Sequence, residues 1–246
     1  MAGAQCCENP PVLSSVFGEG SVVESLGGLK AYTVGSPSSN AAVVLVSDIF
    51  GYEAPNLRYV AENKRKLADK VAAAGFLVVV PDFFYGDPYV PNPEKPLMTW
   101  LEDHGTDKGF EDAKSVIEYL KSKGITLIGA AGFCWGGKVV TELAKTDYVN
   151  AVVMLHPSLV KLDDINEIKR PTSILAAEND SITPLEIVKQ FEEILCTRTE
   201  VDSFVKVFPG VAHGWTVRYG TDDEAAVEKA EEAHKDLLDW FEKYLK

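Results

Sequence analysis

Short, continuously apolar runs alternate along this chain with stretches of helical spacing, and that alternation limits the folds open to it. The runs are "AAVVLV", "FLVVVP", "TLIGAAGF", "AVVMLHP", "TSILAAEN" and "SFVKVFP". Each is too short for a buried helix and lacks the polar alternation of a half-exposed strand, so each reads as a strand covered on both faces. Between them, "NLRYVAENKRKLADKVAAAG" places Leu57, Val60, Ala61, Leu67, Val71 and Ala74 near helical spacing and stops at Gly75. In "GFEDAKSVIEYLKSKG", Phe110, Ala113, Val116, Ile117 and Leu120 share a face. The last helix starts near Thr221, where Thr221 and Glu224 fit a capping box, and buries Ala226, Ala230, Ala233, Leu237 and Phe241. This pattern predicts an α/β fold with a mostly parallel central sheet and helices on both faces.

"SVVESLGGLKAYTVGSP" adds a hairpin turning at Gly27-Gly28. With 246 residues, the expectation is one domain over 1–246, with 1–18 a loose N-terminal tail. Asp82 to Lys108 is the one long irregular stretch, a candidate rim or lid. The net charge of −13 repels phosphate backbones, so nucleic acid is not an expected partner. No apolar run is long enough to span a bilayer, and the start "MAGAQCCENPP" has no apolar signal core. Of the four cysteines, Cys6 and Cys7 are adjacent in the tail and no Cys-x-x-Cys pair exists. The expectations are a reducing, cytoplasmic location, tail thiols of no consequence, no metal and no cofactor.

In a parallel sheet, chemistry gathers where strands end and helices begin. There the chain carries "GFCWGG", Gly132 to Gly137. It fits the nucleophile elbow of α/β-hydrolases with cysteine in place of serine. The turn is tight, so its flanks must be small, and Gly132 and Gly136 meet that need. Cys134 then stands above the sheet, and the N–H of Trp135 supplies half an oxyanion hole. The helix start favours a thiolate. The competing reading is a small buried hydrophobe before a glycine-rich helix.

A nucleophile needs a base and a group that orients it. Asp180 follows "TSILAAEN" and His213 follows "SFVKVFPGVA", in the chain order nucleophile, acid, histidine. His156, at the end of "AVVML", is a second choice for the base. His234 reads as a surface residue of the last helix. The other oxyanion donor is the N–H of Ile49 in "VSDIFG", beside Asp48.

Together "GFCWGG", "AENDSITP", "GVAHGW" and "VSDIFG" resemble the dienelactone hydrolase family, from roughly the first hairpin to the last helix. The resemblance implies an α/β-hydrolase fold in which Cys134 attacks the carbonyl of a small ester or lactone and a thioester is cleared by water. It implies an early-loop acid that controls the thiol's ionisation; this chain has Asp48 where glutamate is usual. It also implies arginines that hold a substrate carboxylate. Gly86 stands where one is expected, and Arg218 is the candidate for the other. The aromatic residues predicted at the strand ends, among them Phe50, Tyr85 and Trp215, suggest an apolar pocket for a neutral substrate. The protein is expected to act as a monomer or homodimer. Two alternatives stay open: a non-catalytic small-molecule binder or redox sensor on the same fold, and a β-glucan-type glycoside hydrolase using Asp48 and Asp82.

Overall fold

The computed structural model describes residues 3–11, 19–58 and 67–246. Its frame is an eight-stranded sheet. In chain order the strands are β1 (Ser21–Leu26), β2 (Leu29–Val34), β3 (Ala41–Val46), β4 (Leu77–Pro81), β5 (Leu127–Phe133), β6 (Ala151–Leu155), β7 (Thr172–Asn179) and β8 (Ser203–Ala212). They lie in the order β1-β2-β4-β3-β5-β6-β7-β8. The β1–β2 and β2–β4 pairs are antiparallel and the rest are parallel. The hairpin turns where expected, with Gly27 and Gly28 both at positive φ (62° and 95°), the backbone a two-residue hairpin turn demands.

The helices are α1 (Pro55–Arg58), α2 (Leu67–Ala73), α3 (Leu97–Asp103), α4 (Thr106–Ser122), α5 (Trp135–Ala144), α6 (Leu162–Asn166), α7 (Leu185–Thr197) and α8 (Glu224–Leu245). The helix expected from Asn56 to Gly75 is seen as its two ends, α1 and α2; residues 59–66 lie outside the described residues.

Every residue of β3 is buried, and its side chains alternate between two cores. Ala42, Val44 and Val46 pack with Val139, Val140 and Leu143 of α5 and Phe191 of α7. Ala41, Val43 and Leu45 belong with Val71 of α2 and Leu237 and Phe241 of α8. A strand sandwiched this way has no polar face, which is why its sequence shows none.

Several expectations need correction. The α8 cap is Asp223, not Thr221; its side chain accepts from the Ala226 N–H and the helix opens at Glu224. Ala226 is only half-buried, while the other four expected stripe residues are buried. His234 is buried, with Nε2 2.9 Å from the Thr216 carbonyl oxygen. The stretch 82–108 is not an open lid. It holds α3, and its buried Phe84 and Trp100 pack edge to face with ring centroids 4.8 Å apart. Of the expected loose tail, residues Ala4–Cys7 form a 3-10 turn with Cys6 buried. No described helix is long and apolar enough to cross a membrane.

Candidate active site

The register of the parallel strands brings four sequence-distant segments to one edge. Val46 of β3 pairs with Gly132 of β5, so Ser47–Ile49 emerge beside Phe133–Trp135. Asn179 of β7 pairs with Ala212 of β8, so Asp180 and His213 leave the sheet side by side.

Cys134 occupies the turn between β5 and α5 at φ 51°, ψ −110°. For a residue with a Cβ this backbone costs on the order of 1–3 kcal/mol and persists only where neighbours enforce it. The enforcement is visible. The Cys134 N–H donates to Leu155 O (3.2 Å), and its carbonyl accepts from the N–H groups of Gly137 and Ser158 (2.9 Å each). The flanking glycines are required by contact: a Cβ on Gly132 would lie 2.1 Å from the Gly136 carbonyl oxygen, and one on Gly136 would lie 2.2 Å from Val46 O. Trp135 opens α5, where the first N–H groups lack intrahelical partners. The Ile49 carbonyl accepts from the Tyr89 N–H at 2.8 Å, which fixes the loop carrying the Ile49 N–H.

His213 donates or shares Nδ1 with Asp180 Oδ2 at 2.8 Å, and both side chains are buried. Asp180 Oδ1 accepts from the N–H groups of Ile182 (2.8 Å) and Thr183 (3.2 Å), which locks the carboxylate. With Nδ1 tied, His213 has Nε2 left, and that atom is buried without a hydrogen-bond partner. The reactive atoms of Cys6, Cys134 and His213 lie within 4.8 Å of one another. Burial alone would push the Cys134 thiol up; the hydrogen bond from Cys6, then His213 and Arg218, outweigh it and hold the thiol well below its ordinary value. Burial opposes a charged imidazole, but the Cys134 thiolate and Asp180 outweigh that and push His213 up to about 9. Each shift favours the charged form of its group, the thiolate of Cys134 and the imidazolium of His213.

His156 is not placed as the base. Its Nε2 lies 2.7 Å from Thr216 Oγ1, and its ring packs edge to face against His213 with centroids 5.1 Å apart. Burial, with the charges of His213 and Arg218, keeps it neutral. Trp215 packs on the other flank of His156, centroids 5.3 Å apart.

Asp48 and Arg218 do what the sequence did not suggest. Arg218 Nε donates to Asp48 Oδ2 at 2.6 Å, and each side chain is 2% exposed. Asp48 Oδ1 accepts from the Phe50 N–H at 3.0 Å, and the guanidinium lies 4.8 Å over the Phe50 ring. Burial holds the Asp48 carboxyl above its ordinary value, even though Arg218 acts to lower it. Arg218 Nη1 donates to Cys6 O at 2.9 Å, with Gln5 O and Glu8 O each at 3.4 Å. Gln5 adds a second clamp, its Oε1 accepting from the Ser181 N–H (2.6 Å) and Ser181 Oγ (2.7 Å). The N-terminal turn is thereby seated on the site, with Cys6 Sγ 3.8 Å from Cys134 Sγ. Ser158 Oγ approaches the same sulfur at 3.6 Å. Nothing in the spacing or periodicity of residues 1–11 signals the position of Cys6.

A cleft of about 660 Å³ opens beside the site, lined by His213, Trp215, Arg218 and Tyr219 among others. Tyr85 is elsewhere. It is 56% exposed, donates to Asp112 Oδ1 at 2.8 Å, and lines a separate cleft of about 310 Å³ with Phe83, Phe84 and Trp135. The aromatic residues thus do not converge on one pocket. Trp135 and Trp100 each meet Phe84 in the core.

The model of the Dienelactone hydrolase family matches residues 29–245. The chain belongs to the dienelactone hydrolase family. Membership makes it a hydrolase acting on ester bonds, and the mostly parallel eight-stranded sheet is that family's α/β-hydrolase fold. A carboxymethylenebutenolidase homolog of Xenopus tropicalis is 36% identical over 227 residues, covering 88% of each chain. An endo-1,3;1,4-beta-D-glucanase of Zea mays is 46% identical over 206 residues, covering 81% of this chain; the match spans 64% of the maize protein's length. The crystal structure of a proposed dienelactone hydrolase from Klebsiella pneumoniae superposes with a TM-score of 0.72 at 21% identity, covering 92% of this chain and 98% of the other.

Proposed function

We propose that the protein hydrolyses small carboxylic esters or lactones through Cys134, His213 and Asp180. The observation that carries this reading is the arrangement of a strained, depressed-pKa thiol beside a buried histidine whose Nδ1 is fixed by a carboxylate at 2.8 Å. The Cys134 thiolate attacks the ester carbonyl carbon. The oxygen that gains the charge is received by the N–H groups of Ile49 and Trp135. As the tetrahedral species collapses, the C–O bond breaks and the leaving alkoxide takes the proton from His213. A water molecule then gives that proton back to His213 as it attacks the thioester. The acid leaves, and the thiolate–imidazolium pair is restored. Asp180 holds the imidazole in the tautomer both steps need. The substrate enters by the cleft lined by His213, Trp215 and Arg218. Cys134 and Cys6 are both buried, so turnover needs the Ala4–Cys7 turn to give way.

The test is a panel of aryl esters, lactones and thioesters assayed with the parent, Cys134→Ala, His213→Ala, Asp180→Ala and the His213→Ala/Asp180→Ala pair. Cys134→Ala is expected to lose turnover. The pair is expected to match His213→Ala alone, because residues that act as one unit are not additive. Full activity in Cys134→Ala refutes the reading.

The maize relative's name favours a second reading, β-glucan hydrolysis. That chemistry needs two carboxylates flanking the sugar. At the described site Asp48 is paired with Arg218, Asp180 is bonded to His213, and Asp82 accepts from the Phe84 N–H. Reducing-sugar release from mixed-linkage glucan, abolished by Asp82→Asn and retained by Cys134→Ala, would reverse the preference.

A further inference from the structure

We propose that Cys6, Cys134 and His213 form a three-ligand site for a thiophilic divalent cation of the zinc class, and that the bound ion clamps the N-terminal turn over the nucleophile. The effect on turnover rests on the hydrolase reading above; the ion site does not.

The ester mechanism uses Cys134 and His213 and gives no role to Cys6. Yet Cys6 is buried and held in place. Its N–H donates to Gly3 O at 3.0 Å and its carbonyl accepts from Arg218 at 2.9 Å. Gln5, next to it, is fastened to both Asn179 O and Ser181. These contacts come from three separate parts of the fold and converge on bringing one thiol to another.

The donor set and spacing suit the ion. Two thiolates and an imidazole are what zinc-class cations select. With Zn–S bonds of ~2.3 Å, two sulfurs on one tetrahedral ion stand ~3.8 Å apart. The observed Sγ–Sγ separation is 3.8 Å. All three donor atoms lie within 4.8 Å, against roughly 3.5 Å for a tetrahedral S–N edge, so the imidazole closes by roughly 1.3 Å at most. Among the described residues His213 Nε2 is buried with no oxygen or nitrogen partner, and it faces the two sulfurs. Its Nδ1 is bonded to Asp180, the carboxylate–histidine–metal arrangement that orients a ligating imidazole.

Charge agrees with geometry. Two thiolates carry −2, which a divalent cation cancels, while Arg218 is already balanced by Asp48. Binding requires both sulfurs as thiolates and a bare His213 Nε2, so loading the site releases the protons those atoms carry. Three protein ligands leave a fourth position for water. A loaded site occupies the lone pairs that attack and proton transfer require, so ion binding and ester turnover exclude each other.

The experiment uses the full chain, stripped with a chelator and kept in a phosphine reductant. Cobalt(II) serves as the spectroscopic probe and zinc(II) as its competitor. The expected result is one cobalt per chain with a thiolate-to-cobalt charge-transfer band, displaced by zinc. Affinity falls about tenfold or more in Cys6→Ser and in Cys134→Ser, and is unchanged in Cys7→Ser and Cys196→Ser. X-ray absorption of the zinc-loaded parent should give two sulfurs and one nitrogen, a readout independent of any variant's folding. Zinc should inhibit ester turnover in the parent, and Cys6→Ser should need about tenfold more zinc for the same fractional loss. Cobalt affinity unchanged in Cys6→Ser, or a zinc shell without sulfur, overturns the proposal. A cysteine-dependent cobalt band with zinc-insensitive turnover keeps the ion site and removes Cys134 as nucleophile. Turnover that needs Cys134 with no cobalt band does the reverse.

Discussion

Arg218 is expected to matter for stability before it matters for substrate, and its removal tests how the site is built. Replacing it with methionine keeps much of the stem's volume but strips the partner from Asp48, whose side chain is 2% exposed. Breaking a buried ion pair from one side costs about 3–5 kcal/mol, because the remaining charge stays desolvated. At roughly 2–4 °C per kcal/mol for a chain of this size, the melting temperature at pH 8 should fall by about 6–20 °C. The carbonyls of Gln5, Cys6 and Glu8 lose a donor as well, but water can replace it. The orphaned carboxylate escapes its penalty by taking a proton. Its folded pKa then stands above its unfolded one, so the deficit is largest at high pH and shrinks as pH falls. Calorimetry of the parent and Arg218→Met at pH 8 and pH 5 should show the gap narrow. The Asp48→Asn/Arg218→Met pair should melt above Arg218→Met, since the amide at position 48 carries no charge and still accepts from the Phe50 N–H. Melting within about 3 °C of the parent at pH 8, or a double variant whose drop is the sum of the single drops, would refute the buried-pair account. In that case Arg218 would be free to hold a substrate carboxylate, as the family resemblance implied.

Gly136→Ala places a Cβ 2.2 Å from the Val46 carbonyl oxygen, which backbone cannot yield cheaply. It should cost about 3 kcal/mol or more, whereas Gly86→Ala, at φ 82° in open space, should cost ~1–2 kcal/mol; chemical denaturation compares them. The pH dependence follows from His213, pushed up from 6.5 to about 9. Its protonated form contributes stability that is fully present below 6.5 and lost as pH rises through about 9, an upper limit of ~3 kcal/mol. Ester kcat/KM should show an alkaline limb near the same pH, and both slopes should vanish in His213→Asn; a melting temperature flat from pH 6.5 to 9.5 in the parent contradicts this.

Much of this was legible because it depends on local pattern. Continuous apolar runs became buried parallel strands, and the order Cys134, Asp180, His213 at strand ends became a contiguous site, since parallel register carries chain order into space. What failed depends on partners far away in sequence. His234 reads as a polar residue on an amphipathic helix; it is buried because Thr216 O accepts its ring, and no helical period encodes that. Thr221 and Asp223 are both capping residues two positions apart, and the backbone selects Asp223. Arg218 reads as a candidate anchor for a substrate carboxylate; only the fold shows that Asp48, 170 positions earlier, pairs with it.

The departure at Asp48 then has a structural meaning. An early-loop acid one methylene longer could extend toward the thiol; here both carboxylate oxygens are already taken, Oδ1 by the Phe50 N–H and Oδ2 by Arg218. Among the described residues no hydrogen bond joins Asp48 to Cys134. Cys6 Sγ, 3.8 Å from the Cys134 sulfur, is carried in by a segment that Arg218 itself holds down. Asp48 and Arg218 are thus linked: both oxygens of the acid are engaged, and Nη1 of the arginine faces the N-terminal backbone carbonyls. In this chain residues 4–7 cover Cys134 and set Cys6 against its sulfur, so whatever lifts or clamps that turn also governs access to it.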